Sequence, residues 1–464
     1  MKNPRLCASV KVMKNSNAPR TSGAAPAVTL AEFQPRSARL RPRTTRAAVL
    51  AILALCHFLL IATRAQNASD TIHADQRDLQ QVIDLAPSNA VVQCDPNRSV
   101  TLSVPIKIRK PLTLVGLHAQ LPEKLGNTSL VIVEAKGVTV TDFELVGNGD
   151  SVPQKERAPL MAIYAGDFRV ERGRFINSSK DGVMIDGDGP LHEDLVGGVV
   201  RDIVGRGVVR DVVSISGSSG HGWKIRNVLV DNVRCYDSRL RGAVEVSDGT
   251  DNITVRKVYA ESAVYGLDVQ DHKEPGQSNR NVVIEDVYAV NCKHAIRTAN
   301  SRKGHNNLTV RDITARQCTI PIQISHTENV HLSNVRILDH ESGKPPIQML
   351  DCRGVSVRDV VVQNALIKGA ALQMENCDET LVDGFSLRGQ TNSLASAVCF
   401  RLTAKATFSG LRISNVSARD VTDAGIVLET KKDGKLTDYL ITGNLATVKD
   451  GIKGERAIIA NNLP

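Results

Sequence analysis

Five ionisable residues recur at regular places in one stretch of the chain, residues 243–276. Strand-like sequence in this stretch carries Glu245, Asp248, Asp268, Asp271 and His272. Carboxylates and an imidazole can transfer protons or bind a cation if the backbone brings them to one face. The chemistry therefore depends on how the surrounding strands are arranged.

Those strands belong to a repeat. Segments that resemble "NITVRKV" start 29, 26, 22, 25 and 25 residues apart, at Asn252, Asn281, Asn307, Asn329, Gly354 and Glu379. Each segment is followed by a second short strand, such as "AVEVSD", "GLDVQD" or "AIRTAN". Both strands alternate with period two and leave no room for a helix, and leucine is not periodic as it is in leucine-rich repeats. The sequence predicts stacked all-β coils that bury their faces against one another.

The repeats resemble the right-handed parallel β-helix of the pectate lyase type over about residues 70–445. The opening "DQRDLQQVIDLAP" is similar to the helix that caps the N-terminal end in that family, and "VTLSVPIKIRKPLTLVGLHAQL" to its first coils. The resemblance implies one β-helix domain over residues 66–464, with a cap at about 75–90 and an irregular last coil at about 432–464. A fold-level resemblance does not specify an activity.

Aligning the second strands predicts one outward column of polar side chains. If Val244, Leu267, Ile296, Ile322 and Ile347 point inward, the outward column is Glu245, Asp268, Arg297, Gln323 and Gln348. Neighbouring strands lie about 4.8 Å apart, so Glu245 beside Asp268 needs a cation, which Arg297 or a metal could supply. The alternative is a solvated face, in which Asp268 and Arg297 form an ordinary surface ion pair.

The family resemblance implies roles for this column. Glu245, Asp268 and Asp271 would bind calcium, and Arg297 would be the base, with His272 as an auxiliary acid or substrate contact. From charge alone, Arg297 stays protonated and acts as an electrostatic clamp. The expected activity is calcium-assisted β-elimination in an acidic polysaccharide, and a uronan epimerase would share the first proton abstraction. The expected substrate contacts are Gln270, Asn300, Gln323 and His326.

A second candidate site would perform hydrolysis instead. Its residues are Asp181, Asp186, Asp188 and His221, and Gly220-His221-Gly222 is similar to a tripeptide of the polygalacturonase family. Inverting hydrolysis needs two carboxyl groups of unequal pKa. The Asn-Thr-Asp, Asp-Asp and Arg-Ile-Lys motifs of that family are absent, and the tripeptide could equally be a turn. A non-catalytic surface solenoid is the third alternative.

The positive charge of the chain is concentrated in its first residues. The formal net charge is +9, and residues 1–46 carry ten Lys or Arg and only one acid. The sixteen residues Ala47–Ala62 are apolar except for one histidine and precede a small-residue cleavage pattern ending at Ala65. This pattern predicts a secretory signal, with an uncleaved anchor as the alternative, and hence a secreted or extracytoplasmic protein. The near-neutral remainder and the absence of a P-loop or dinucleotide motif argue against nucleic-acid and nucleotide partners.

Seven cysteines follow the leader, an odd number in a large domain. Cys292 and Cys318 occupy equivalent places in successive repeats, as do Cys352 and Cys377. Equivalent places stack in a solenoid, so we expect ladders of buried thiols, with occasional disulfides as the alternative.

Overall fold

The chain folds as a stack of parallel β coils. The computed structural model describes residues 71–74, 78–125, 127–218, 221–272, 277–299, 304–390, 394–422, 424–452 and 457–462. These residues belong to one compact unit. The predicted leader and signal segment, residues 1–65, lie outside the described residues, as does Asn300. No described helix is long and apolar enough to cross a membrane.

The described part of the chain contains one α-helix, 35 strands and two single 3-10 turns. The helix α1 is Leu79–Leu85, and the 3-10 turns are Gly149–Ser151 and Gln154–Glu156. The strands in chain order are β1 Thr71–His73, β2 Val91–Gln93, β3 Ser99–Thr101, β4 Ile106–Ile108, β5 Thr113–Val115, β6 His118–Gln120, β7 Val131–Val133, β8 Thr139–Thr141, β9 Glu144–Val146, β10 Met161–Ile163, β11 Phe168–Ile176, β12 Val183–Asp186, β13 Leu195–Arg206, β14 Val213–Ser216, β15 Ile225–Tyr236, β16 Gly242–Ser247, β17 Asp251–Glu261, β18 Tyr265–Gln270, β19 Arg280–Val290, β20 His294–Ala299, β21 His305–Arg316, β22 Ile322–Ser325, β23 Thr327–Leu338, β24 Ile347–Leu350, β25 Arg353–Ala365, β26 Lys368–Glu375, β27 Asp378–Gly389, β28 Leu394–Leu402, β29 Thr407–Ser409, β30 Arg412–Arg419, β31 Ile426–Thr430, β32 Lys435–Thr437, β33 Leu440–Thr442, β34 Val448–Asp450 and β35 Ile458–Ala460.

Two large sheets run the length of the stack. One has 19 strands and the other 14, and a short pair, β29 with β32, lies beside them. The pairings within each sheet are parallel, with each strand paired to the equivalent strand of the next coil. The whole is a right-handed parallel β-helix of about 13 turns. The fold expected from the repeats is confirmed.

The repeat extends further toward the N-terminus than the six matching segments suggested. Strands β11, β13 and β15 continue the same ladder upstream of Asn252. The first strand of each coil is also longer than the short segment that the sequence suggested. Strands β13, β15, β21, β23 and β27, for example, each have 12 residues.

Each of these long strands has a left-handed residue near its start and a second one in its middle, where the strand bends. Asn232 in β15, Asp286 in β19 and Asp312 in β21 have φ angles of 58°, 56° and 59°. The ladder skips these positions, so that Asp231 pairs with Arg256 and Val233 with Val258. Asn and Asp tolerate this conformation better than other L-residues because their short side chains hydrogen-bond locally. Each bend divides a long strand into two segments, which together with the strand of the other sheet enclose the core.

The core is a column of aliphatic side chains between the two sheets. The predicted inward residues Val244, Leu267, Ile296, Ile322 and Ile347 are fully buried. The helix α1 contributes Leu79 and Ile83 to the same core, and the Gln80 side chain hydrogen-bonds the backbone N–H and C=O of Lys107 in β4. The predicted helix is therefore present, while its role as an end cap stays a prediction.

The seven described cysteines are free and buried: Cys94, Cys235, Cys292, Cys318, Cys352, Cys377 and Cys399. The thiols of Cys292 and Cys318 lie against carbonyl oxygens of the preceding coil, each 3.6 Å away. Cys352 and Cys377 repeat the arrangement at 3.7 and 3.8 Å. The buried thiol ladders expected from the sequence are confirmed.

Candidate active site

The predicted outward column forms on the 14-stranded sheet. Register pairs Glu245 of β16 with Asp268 of β18, Asp268 with Arg297 of β20, and Arg297 with Gln323 of β22. Gln323 pairs in turn with Gln348 of β24. Alternation along each strand points these side chains away from the core residues that flank them. The column was predictable because its members share one position in the repeat.

The carboxylates of the column are buried, although they face outward from the sheet. Glu245 is 1% exposed and Asp268 is 0% exposed. Long side chains cover them, since Arg210, Arg241 and Arg297 retain only about a quarter of their side-chain exposure. The solvated-face alternative is therefore wrong for Glu245 and Asp268. These guanidinium groups, and not the carboxylates, face the solvent.

Asp268 and Arg297 form a bidentate ion pair. Arg297 Nε donates to Asp268 Oδ1 at 3.0 Å, and its Nη2 donates to Oδ2 at 2.5 Å. The guanidinium also lies over the ring of Tyr265, 4.9 Å from the ring centroid. Burial lowers the pKa of Arg297, but the Asp268 carboxylate more than offsets this and raises it. Arg297 is thus held protonated, as charge alone predicted.

The Glu245 carboxylate is surrounded by donors. Arg241 forms a short ion pair with Oε2, which also lies 3.4 Å from Arg210 Nη2. Gln270 Nε2 donates to Oε1, which lies 3.5 Å from His272 Nε2. Burial would raise the pKa of Glu245, but these positive groups and a hydrogen bond with Asp211 lower it to about 2. Glu245 is the anion at the centre of the site.

Asp211 is a member of the site that sequence reasoning missed. It lies just before β14, is 0% exposed, and accepts a hydrogen bond from the Tyr265 hydroxyl at 2.8 Å. Burial and the neighbouring Glu245 carboxylate raise its pKa well above the ordinary range. The pKa values of the two neighbouring carboxyl groups are therefore shifted in opposite directions, and Asp211 holds a proton more tightly than Glu245 does. The signal available in the sequence was the Lys180-Asp181 and Arg210-Asp211 pair of dipeptides, 30 residues apart at equivalent places before two strands.

His272 lies just after β18, where it contacts both Asp248 and Glu245. Its backbone N–H donates to Asp248 Oδ1 at 2.8 Å, and its Nδ1 lies 2.6 Å from Oδ2. Asp248 has a left-handed φ of 59° and also accepts a hydrogen bond from Ser216 Oγ at 3.2 Å. The Asp248 contact raises the pKa of His272, with Glu245 adding to the effect. The His272 side chain is 30% exposed and so can reach a ligand.

The expected calcium ligands do not fit a metal ion as they are placed. Glu245 and Asp268 are each engaged by arginine, and Asp271 is buried beyond the end of β18. Among the described residues, no group of three or more His, Cys, Asp or Glu side chains could hold a metal ion. Calcium prefers six to eight oxygen ligands. The positive charge beside these carboxylates is supplied by guanidinium groups.

The expected substrate contacts fall in different environments. Gln270 is buried against Glu245, whereas Gln323 is half-buried in the column next to Arg297. His326 lies at the end of β22 with 45% of its side chain exposed, and its Nε2 is 3.4 Å from Asp351 Oδ2. Gln323 is therefore placed beside the guanidinium groups, while His326 forms a separate pair with Asp351.

The alternative hydrolase residues are spread from just before β12 to the loops after β12 and β14. Asp181 is fully buried, with Oδ1 3.3 Å from Arg210 Nε and Oδ2 without a hydrogen-bond partner. Asp188 and His221 lie on the exposed loops after β12 and β14, where both contact Ser218. Asp186 ends β12 beside Ser216 of β14. Arg210 thus joins Asp181 to the Glu245 cluster, so the two predicted sites share one face of the sheet.

Comparison with known proteins supports the fold and assigns no family. No family model matches the chain, and no curated protein matches it. An N-terminal fragment of bacteriophage phi29 gene product 12 is similar, with a TM-score of 0.54, 13% identity, and coverage of 82% of this chain and 81% of that one. The pre-mature form of the same product has a TM-score of 0.53 and 12% identity over 90% of this chain, which spans 58% of that longer chain. A family 28 exopolygalacturonase from Yersinia enterocolitica has a TM-score of 0.44 and 12% identity over 80% of this chain and 78% of that one.

Proposed function

We propose that the chain acts on an acidic polysaccharide and cleaves it by β-elimination at the face around Glu245. The observation that carries this proposal is a row of three partly exposed guanidinium groups, Arg210, Arg241 and Arg297, beside the Asp248–His272 pair. Each arginine forms an ion pair with a buried carboxylate on the sheet: Arg210 with Asp181, Arg241 with Glu245, and Arg297 with Asp268. A row of this kind suits a polymer that carries one acidic group per sugar.

The guanidinium groups would act as the clamp on the sugar carboxylate. Abstraction of the C5 proton places negative charge on that carboxylate, and fixed positive groups in a partly desolvated site stabilise it. Arginine presents a planar fork that matches a carboxylate. Arg297 is held protonated by Asp268, so in this proposal it is the clamp and not the base.

His272 would be the group that moves the proton. In this proposal Asp248 Oδ2 accepts a hydrogen bond from the Nδ1–H group, 2.6 Å away, so that Nε2 is the basic nitrogen. Asp248 also stabilises the imidazolium that forms. Nε2 takes the C5 proton, the C4–O bond breaks and a C4–C5 double bond forms. The imidazolium then returns its proton to the departing glycosidic oxygen. The exposed fraction of His272 makes it the accessible titratable group beside the buried Glu245.

Hydrolysis is the second candidate, because Asp211 and Glu245 are a carboxyl pair of unequal pKa. Their contact argues against a water molecule between them, since inverting enzymes separate the two carboxyl groups by about 6.5–9.5 Å. Both groups are also buried under arginine. Hydrolysis would require those arginine side chains to move.

The test is absorbance of unsaturated product with the full chain on pectate, alginate and glycosaminoglycans, with calcium and with chelator. We expect a rise that persists in chelator, because guanidinium groups supply the charge. His272→Gln should reduce kcat by about 100-fold or more, as expected for loss of a general base. The matched control is His331→Gln, an exposed histidine on the other sheet, which should leave the rate unchanged.

Other results would contradict the elimination proposal in different ways. New reducing ends without absorbance would indicate hydrolysis at the carboxyl pair. Exchange of the C5 proton with solvent, without chain cleavage, would indicate a uronan epimerase. A rise that disappears in chelator would restore the calcium hypothesis. Binding without any reaction would indicate a non-catalytic solenoid.

A further inference from the structure

We propose that Tyr265 is a positioning residue that connects the arginine clamp to the Asp211–Glu245 carboxyl pair. This inference rests on the proposed function, since it assigns a role within the same site. Tyr265 is fully buried at the start of β18, and no part of it reaches solvent. Its hydroxyl contacts Asp211, and its ring contacts the guanidinium group of Arg297.

The tyrosine side chain reaches across one whole coil. Strand β16 lies between β14 and β18, yet the Tyr265 hydroxyl donates to Asp211 Oδ1, just before β14, at 2.8 Å. The intervening position is Gly242, where an added Cβ would lie 1.8 Å from the Tyr265 carbonyl oxygen and 2.6 Å from its Cδ2 atom. A side chain at residue 242 would therefore displace both the backbone and the ring of Tyr265. The glycine opens the path that the tyrosine occupies.

The contact from Tyr265 determines which oxygen of Asp211 carries the proton. Oδ1 accepts from the Tyr265 hydroxyl and from the Gly242 N–H at 3.4 Å. Oδ2 faces the Glu245 side of the cluster, 3.5 Å from Arg241 Nη1, which also pairs with Glu245. Oδ1 accepts from two donors, whereas Oδ2 has only longer contacts, to Arg241 at 3.5 Å and Arg210 at 3.9 Å. The Asp211 proton therefore belongs on Oδ2, on the Glu245 side.

Charged groups from every neighbouring element face this carboxyl. They are Asp181 before β12, Arg210 beside Asp211 itself, Arg241 and Glu245 at β16, and Tyr265 at β18. Asp211 N–H donates to Asp181 Oδ1 at 3.2 Å, which fixes the backbone on the remaining side. The proton on Asp211 keeps Glu245 ionised, 3.5 Å from His272 Nε2. Glu245 then stabilises the imidazolium that forms when His272 accepts a proton.

The ring of Tyr265 supports the clamp at the same time. Arg297 lies over it at 4.9 Å, within the range of a cation–π contact, and is held from the other side by Asp268. The two contacts of Tyr265 can be separated by substitution. Tyr265→Phe removes the hydroxyl and retains the ring, whereas Tyr265→Leu removes both.

The experiment measures kcat and KM against pH for the full chain and both variants. In Tyr265→Phe we expect an unchanged KM and a kcat at neutral pH lower by about tenfold, because the Asp211 proton is no longer confined to Oδ2 and the loss corresponds to one buried hydrogen bond. The alkaline limb of its pH profile should move upward by about half a unit to one unit, because Asp211 without its donor releases the proton less readily. In Tyr265→Leu, KM should also rise by about two- to fivefold through loss of the cation–π contact.

Tyr259→Phe is the matched control, because the Tyr259 hydroxyl also donates to a carboxylate, Glu261, at 2.8 Å, on the other sheet. It should leave kcat, KM and the pH profile unchanged. Unchanged kcat and pH profile in Tyr265→Phe would overturn the inference. So would equal effects of the two tyrosine-to-phenylalanine changes.

Carbon-13 NMR of labelled aspartate carboxyls, with Asp211 identified through Asp211→Asn, separates this inference from the proposed function. The Asp211 titration midpoint should rise in Tyr265→Phe even if the wild type cleaves no substrate. That result would retain the Tyr265 contact and reject the elimination proposal. An unchanged midpoint would reject the Tyr265 contact whether or not the wild type is active.

Discussion

Glu245 is a buried anion whose carboxylate oxygens contact several hydrogen-bond donors. Removing one partner of a buried pair leaves an uncompensated charge, whereas the pair itself contributes little net stability. The cluster of Glu245, Asp268 and their arginines is therefore poorly explained as a device for stability alone. It is better explained as an arrangement in which buried carboxylates hold the arginine guanidinium groups in fixed positions at the surface of the sheet.

The raised pKa of His272 makes stability depend on pH in a defined direction. A histidine whose folded pKa is raised contributes stability that is fully present below the unfolded pKa and is lost as pH rises through the folded pKa. The unfolded value is about 6.5, so the contribution should be complete near pH 5.5 and absent well above the folded value. We expect His272→Gln to lower the free energy of unfolding more at pH 5.5 than at pH 9.

Urea unfolding of the wild type and His272→Gln across this range measures the effect. His331→Gln, on the exposed face of β23, is the control and should show no such difference. An equal destabilisation by His272→Gln at both pH values would mean that the Asp248 contact does not depend on the imidazolium.

At the scale of the element, asparagine ladders explain the first residue of the repeat. Asn307 Nδ2 donates to Asn281 Oδ1 at 2.8 Å, and Asn329 Nδ2 donates to Asn307 Oδ1 at 3.0 Å. All three have left-handed φ angles, between 53° and 59°. Asparagine is thus favoured twice, by its tolerance of this conformation and by the amide that links one coil to the next.

Asn307→Ala should destabilise the protein, because it breaks two side-chain hydrogen bonds and places alanine in a left-handed conformation. We expect a loss of about 1–3 kcal/mol, read as a lower midpoint of urea unfolding. Asn306→Ala is the neighbouring control, since Asn306 has one exposed hydrogen bond, to Glu328 at 3.0 Å, and no left-handed φ. Equal effects of the two changes would contradict the ladder explanation.

Charge pairing fixes the register of the longer sheet. One outward-facing column alternates in sign through Arg201, Asp231, Arg256, Glu285 and Arg311. Opposite charges on adjacent strands are favourable and like charges are not. Arg256 Nη2 lies 3.0 Å from Asp231 Oδ2, and Arg311 Nε lies 2.8 Å from Glu285 Oε2. A strand displaced by one residue would lose these pairs and expose its core side chains.

At the scale of the whole molecule, the stack is held by aliphatic packing and hydrogen-bonded ladders, and no disulfide joins the described cysteines. Burial raises the pKa of the Cys94 thiol to about 11. Cys235, deeper in the core, has its pKa raised further by the same cause. Cys94 and Cys235 are therefore poor nucleophiles, and burial keeps reagents from all seven described thiols, while the coils remain stacked.

A thiol-reactive dye should therefore label few cysteines in the folded protein. Of the nine cysteines in the chain, only Cys7 and Cys56 lie outside the described residues. We expect at most two thiols to react in native conditions and all nine in denaturant when the leader is retained, and none and all seven, respectively, after cleavage at Ala65. Reductant should not change the midpoint of thermal unfolding. Fewer reactive thiols in denaturant than the cysteines of the purified chain, or a midpoint lowered by reductant, would reveal a disulfide.

The sequence by itself determined the coil, the sheet that carries the site and the members of its outward column. Period-two alternation and a repeat of 22 to 29 residues are local properties, and equivalent positions must stack when the coils are parallel. Glu245, Asp268 and Arg297 could be aligned for that reason. The sequence placed Asp248 and His272 in the same stretch but did not predict their contact.

Only the tertiary structure decided how buried the column is and which residues join it. Periodicity assigns a side chain to a face, but not the distance that a long side chain reaches along that face. Arg210 and Arg241 cover Glu245 from neighbouring coils, and Tyr265 reaches Asp211 across Gly242, 54 residues away in sequence. These contacts depend on rotamers and on the space that one glycine leaves, and neither is a property of the repeat.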